Sequence, residues 1–248
     1  MKKLLVILLF LSTLFVSTSV LASQGESVSY QVNGEEYEGF YMAPKKGAPL
    51  ILMVHDWDGL TTYEKKRVGM LTDEGYAVFA ADLFGKDVRP TETEEKKKLT
   101  GALYQDKEKM LGLLDGALEK AASLGAKADN TVAMGYCFGG AAVLEMARSG
   151  AGMKAYVTFH GGLKTPEGAD YAKTKGKVLV FHGGGDTSVT MADFVDLSTA
   201  LEASNVDSEM IVYSGAPHGF TVEGSDRYQA AADQKSWARF VEFLAAIK

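Results

Sequence analysis

Thr131-Val132-Ala133-Met134-Gly135-Tyr136-Cys137-Phe138-Gly139-Gly140 runs directly into Ala141-Ala142-Val143-Leu144-Glu145-Met146. A short apolar stretch passes through a glycine-rich turn into a run of helix formers, so the pattern predicts strand, tight turn and helix. The turn reads G-x-C-x-G-G, a nucleophile elbow with cysteine in place of serine. Such a turn holds its nucleophile in a strained conformation, and Gly135 and Gly139 offer no side chain to clash where strand and helix close on each other. Cys137 is pushed into the open at a helix N-terminus, where unpaired N–H groups and the helix dipole stabilise negative charge. Close packing alone would also ask for glycines; the strand-turn-helix context is what points to catalysis.

An acid and a histidine should then follow, each past a later strand. Val178 to Phe181 leads into His182-Gly183-Gly184-Gly185-Asp186, and Glu209 to Tyr213 leads into Ser214-Gly215-Ala216-Pro217-His218-Gly219-Phe220. Asp186 and His218 are therefore the candidates, whereas Asp193 and Asp196 fall in a helical pattern. In this set His218 takes the thiol proton, Asp186 orients the imidazole, and Cys137 attacks an acyl carbon. The backbone N–H of Phe138 is the first candidate oxyanion donor. A second is expected from His55-Asp56-Trp57-Asp58-Gly59, with Trp57 the choice.

Working outward, Val28 to Val32, Asn33-Gly34 and Glu36 to Met42 read as a hairpin, since Asn-Gly suits a type I′ turn. Leu50 to Val54, Tyr76 to Ala81 and Ala155 to Phe159 are further apolar runs of the kind buried on both faces of a sheet. Helical patterns cover Thr62 to Glu74, Thr91 to Leu124 in two pieces, Gly139 to Arg148, Met191 to Ser204 and Asp226 to Ile247. This alternation predicts an α/β fold with a mostly parallel sheet, an antiparallel start and helices on both faces. The mixed charges from Glu92 to Lys98 read as a solvated helix face. His55, Asp56 and Asp58 lack the spacing of a metal site, and none is assigned.

Residues 1–22 read as a signal peptide, with Lys2 and Lys3, the apolar run Leu4 to Phe15 and the small-residue boundary at Ala22. An exported protein, periplasmic or secreted, is expected, with 23–248 forming one domain and no stable membrane association after cleavage. An uncleaved anchor is the alternative, because Leu4 to Ala22 nearly spans a bilayer. The chain carries 26 basic and 32 acidic side chains, a net charge of −6, and losing Lys2 and Lys3 makes it more negative. That excludes nucleic acid as an expected partner. A lone cysteine ordinarily reads as a small buried apolar residue, and Cys137 is the only one.

With these motifs in hand, the sequence resembles the dienelactone hydrolase family. The resemblance rests on G-Y-C-F-G-G around Cys137, F-H-G-G-G-D ending at Asp186, A-P-H-G-F around His218 and V-H-D-W-D-G-L after the third strand, in order from about Val28 to Ile247. It implies an α/β-hydrolase fold, a Cys-His-Asp triad, no cofactor, and hydrolysis of a small carboxylic ester, lactone or thioester. It also implies a thiol-activating role for Asp56, where relatives that open dienelactones carry glutamate. Those relatives hold the substrate carboxylate with arginines; here Thr221-Val222 follow the histidine motif and Lys86 is the nearest cation after the fourth strand, which predicts a preference for neutral substrates. His55, Trp57, Lys86, Phe159 and Phe220 are the candidate substrate pocket, with ordinary core packing the alternative for the aromatics. The competing functions are a non-catalytic ligand-binding homologue, disfavoured by the complete triad, and a redox sensor, disfavoured by the lack of a resolving cysteine.

Overall fold

The computed structural model describes residues 24–247; the expected signal peptide, 1–22, lies outside them. Eight strands form one sheet: β1 (Glu26–Val32), β2 (Glu35–Met42), β3 (Pro49–Val54), β4 (Ala77–Ala81), β5 (Lys127–Tyr136), β6 (Ala155–Phe159), β7 (Lys177–Gly183) and β8 (Ser208–Tyr213). Their order across the sheet is β1-β2-β4-β3-β5-β6-β7-β8. β1 and β2 pair antiparallel, β2 meets β4 antiparallel, and every later pairing is parallel. The hairpin turn has Asn33 and Gly34 both at positive φ, as a type I′ turn requires.

Between strands lie α1 (Thr62–Asp73), α2 (Thr93–Gln105), α3 (Lys107–Ser123), α4 (Phe138–Ser149) and α5 (Met191–Ala203), and α6 (Ala230–Ala246) follows β8. α2 and α3 divide at Asp106, whose side chain caps α3 by accepting from the Lys109 N–H. The continuous apolar strands supply both faces. Leu50, Leu52 and Val54 of β3 pack in one core with residues of α2, α3, α4 and α5, while Ile51 and Met53 pack in a second core with α1 and α6. Burial on both sides is what an uninterrupted apolar run achieves in a parallel sheet.

Two expected boundaries move by four residues. β5 begins at Lys127 rather than Thr131, because the polar stretch Lys127 to Asn130 continues the strand and Lys127 pairs with Pro49. α6 begins at Ala230 rather than Asp226. The preceding residues are instead held in turns, with the Tyr228 N–H on the Ser225 carbonyl and the Gln229 N–H on the Phe220 carbonyl.

Candidate active site

Six parallel strands, β3 to β8, deliver their carboxyl ends to one edge of the sheet, and the loops after β3, β5, β6, β7 and β8 line the site. β5 ends in the elbow. Cys137 has φ 50° and ψ −112°, a conformation that side-chain-bearing residues rarely hold, and α4 starts at the next residue. A Cβ at Gly135 would run into the backbone of Gly139, and one at Gly139 would run into the Val54 and His55 carbonyls. The glycines therefore let β3, β5 and α4 meet at Cys137. The Cys137 N–H is tied to the Phe159 carbonyl at 3.1 Å, which fixes the turn to β6. Phe138 is the first residue of α4, so its N–H has no partner within the helix.

β7 and β8 place the other two side chains. Gly183 and Gly185 allow the loop after β7 to press against the Ala216 and Gly215 backbone, and the Gly185 N–H donates to the Ala216 carbonyl at 2.9 Å. Asp186 is thereby brought beside His218. The Asp186 carboxylate accepts from the Ser188 and Val189 N–H groups at 2.8 and 2.9 Å through one oxygen. Its other oxygen lies 2.7 Å from His218 Nδ1. His218 Nε2 in turn is 3.1 Å from Cys137 Sγ. The three groups thus form one hydrogen-bonded chain.

Electrostatics follow from those contacts. Burial alone would push the His218 pKa down, but the hydrogen bonds and charges of Asp186 and Cys137 outweigh it and raise it to about 10. Burial would likewise raise Asp186, yet the His218 contact and the two backbone donors hold it below the usual carboxylate value. Asp56 is pushed up to about 7, by burial first and then by the charges of Glu64 and Asp58.

A cavity of about 260 Å³ opens over Cys137. Asp56, Trp57 and Phe138 line it together with Cys137 and His218, so the expected oxyanion loop and elbow do share one space. Asp56 does not touch the thiol; its carboxylate accepts from the Asp58 N–H at 2.7 Å.

Four other expected pocket residues are elsewhere. His55 is wholly buried. Its Nε2 accepts from the Leu83 N–H at 3.1 Å, which leaves Nδ1–H to donate to the Asp56 carbonyl at 2.6 Å. Both ring nitrogens are spent on backbone, and the ring clamps the loop after β3 to the loop after β4. Phe159 packs in the core against Phe181, Tyr136 and Phe240, and Phe220 is buried against the edge of His160. Lys86 pairs with Glu36 of the hairpin at 2.8 Å, away from the cavity.

Several lining residues carried no sequence signal. Tyr104 comes from α2, His160 and Gly162 from the loop after β6, and Val222 and Arg227 from the segment before α6. Arg227 corrects the expectation of a cavity without a cation. Its nearest carboxylate is the fully solvated Asp226 at 4.0 Å, so its guanidinium is only loosely engaged. His160 and His182 also come directly after apolar strand runs in the sequence, but neither competes with His218: His160 is buried with Nε2 on Thr221 Oγ1 at 2.8 Å, and His182 is buried against the Phe194 ring. Lys96, from the charged run read as solvated, turns inward; its ammonium lies over the Trp57 ring and pairs with Asp58.

The sheet order, the elbow and the covering helices define an α/β-hydrolase fold. The model of the dienelactone hydrolase family matches residues 37–248, and the chain belongs to that family. It is 27% identical to the carboxymethylenebutenolidase of Pseudomonas putida over 236 residues, covering 90% of this chain and 97% of that one. A crystal structure of a dienelactone hydrolase-like promiscuous phosphotriesterase from metagenomic libraries superposes with TM-score 0.84 at 26% identity, covering 91% of this chain and 99% of that chain. The Pyrococcus horikoshii acylaminoacyl peptidase shares the fold alone, with TM-score 0.71 at 14% identity over 90% of this chain and 42% of its own.

Proposed function

We propose that the protein hydrolyses a small carboxylic ester, lactone or thioester through a Cys137 acyl-enzyme. The observation that carries this reading is the chain of contacts from Asp186 through His218 to Cys137 Sγ, at 2.7 and 3.1 Å, opening on a cavity. In the first half, the thiol proton already rests on His218 Nε2, as the raised pKa of that imidazole requires, and sulfur bonds to the acyl carbon as a thiolate while the carbonyl electrons move onto oxygen. That oxygen is met by the N–H groups of Phe138 and Trp57. Collapse expels the alkoxide, or thiolate, which takes the proton from His218. Water then repeats the sequence: His218 takes its proton as the water oxygen bonds to the acyl carbon, the carbon–sulfur bond breaks, and Cys137 leaves as the thiolate beside the protonated His218. Asp186 stabilises the imidazolium throughout.

Arg227 changes the substrate expectation. A planar guanidinium at the mouth suits a carboxylate or another anionic group on the substrate. Export to the periplasm or exterior is also part of the proposal and rests on the sequence of 1–22; no helix among the described residues is long and apolar enough to cross a membrane.

The test is turnover of an activated ester by wild type and single variants. Cys137→Ala and His218→Ala should lower kcat by about 10⁴-fold or more, and Asp186→Asn by less than either. Wild-type turnover no faster than the uncatalysed reaction would favour the non-catalytic, ligand-binding reading, and equal catalysed turnover in Cys137→Ala would rule out Cys137 as the nucleophile. For a matched pair of esters with and without a carboxylate, the ratio of kcat/KM should fall in Arg227→Ala and stay put in Lys86→Ala.

A further inference from the structure

A second cavity, of about 370 Å³, lies beside the first and shares two of its walls, Tyr104 and Gly162. Its floor is apolar, from Met110 of α3, Ala141 of α4 and Pro166 of the loop after β6. Charged side chains also line it: Glu145 is neutralised on the spot by Arg148 at 2.6 Å and Lys107 at 3.4 Å, and Lys164 adds a further cation. The apolar floor therefore faces no unpaired anion, and a long lysine stem can cover apolar surface while its ammonium reaches water. Gly162 has no side chain to close the passage, since a Cβ there would sit 3.2 Å from the Ala141 Cβ and 3.7 Å from the Tyr104 hydroxyl. Tyr104 is the remaining partition, braced edge-on against Phe138 yet 46% exposed.

Which part of a substrate lies there follows from the position of the acid. His218 Nε2 must reach the leaving oxygen, so the leaving group sits on the His218 side of Cys137. That side is built by Gly219, Val222 and Arg227, in the segment that packs on α1 through Arg67 and Thr221. The acyl group then extends the opposite way, toward α2, α3 and α4, where Tyr104 and the second cavity stand.

We propose that this second cavity is an acyl-chain subsite, which takes a linear apolar acyl chain longer than butyrate, with Tyr104 as the gatepost between it and the reacting thiol. The proposal rests on the ester-hydrolase reading above. Each methylene accommodated in an apolar pocket contributes about tenfold or more in kcat/KM.

The test is the ratio of kcat/KM for p-nitrophenyl hexanoate to that for p-nitrophenyl acetate. Ala141→Phe, which fills the floor, should lower the ratio about tenfold or more; Tyr104→Ala, which widens the passage, should raise it. If Ala141→Phe does not fold, Tyr104→Ala decides, because it alters an exposed side chain. Hydrolysis with the ratio unmoved in both variants would overturn the subsite alone. Absence of hydrolysis of every ester by wild type would overturn the hydrolase reading and the subsite with it.

Discussion

The carboxyl of Asp56 is raised to about 7 because it is buried beside Glu64 and Asp58, while the Asp58 N–H and the Lys96 charge only partly compensate. In the unfolded chain it ionises near 3.8, so between about 3.8 and 7 the folded state holds the extra proton. Folding stability from this group therefore falls as pH rises through that window, and the full cost is present above 7. Asp56→Asn keeps the oxygen that accepts from the Asp58 N–H and removes the charge. It should raise Tm at pH 8 and give no gain at pH 4, by about 2–4 °C for each kcal/mol relieved. Calorimetry at the two pH values checks this, and equal shifts at both would show that charge burial is not the cause. The same group, if it assists the thiol as the family resemblance implies, gives the kcat/KM profile an inflection near pH 7 that the variant lacks. A destabilising carboxyl kept at the edge of a reactive cavity is the pattern expected where function is bought with stability.

The elements nearest the chemistry were legible wherever the signal is local. The elbow needs glycines within four residues of Cys137, the hairpin needs Asn33-Gly34, and strands buried on both faces need unbroken apolar runs; each can be read from a short window. What escaped depends on contacts made across the chain. The sequence pattern carries the last helix back to Asp226, but α6 starts at Ala230, because turn bonds hold the segment before it and Arg67 of α1 reaches over to residues on both sides of that segment. Arg67 donates to the Thr221 carbonyl at 3.0 Å, pairs with Asp233 in the first turn of α6, and lies 4.9 Å from the centre of the Trp237 ring. Its partners Thr221 and Asp233 lie 154 and 166 residues away, which no periodicity records. Arg227 escaped because it lies nine residues past His218, in a stretch that the sequence pattern assigns to the helix. Phe159 and Phe220 were misplaced for the converse reason: an aromatic at a strand end looks the same in sequence whether it lines a cavity or supports one. Arg67→Met should cost about 3–5 kcal/mol, because Asp233 would be left buried without its cation. Chemical denaturation measures the cost. Arg67→Met together with Asp233→Leu should recover much of it, and a double variant no more stable than the single would argue against an unpaired charge as the source.

At the scale of the whole molecule, the parallel sheet gathers at one edge three groups that the chain separates by 49 and 32 residues, and the same enclosure sets how the fold answers to acid. Burial lowers the pKa of His55 to about 4 and that of His160 well below its usual value, so both are neutral in the folded state. Each contributes stability that is present above about 6.5 and lost as pH falls through the folded value, since the unfolded imidazole gains a proton that the folded one refuses. Asp56, Glu64 and Asp82, all raised by burial, run the other way and shed a cost on acidification. The opposing contributions make the acid limb of wild type alone hard to assign, but a variant separates them. His55→Gln removes the clamp between the loops after β3 and β4 and the group that titrates with it. It should be destabilised most above pH 6.5, and its deficit relative to wild type should shrink as pH falls toward 4, where wild type has lost the same contribution. Tm measured for both proteins across pH 4 to 8 decides the matter: a deficit constant over that range would mean that His55 acts only through packing and hydrogen bonds, not through a proton it declines to bind.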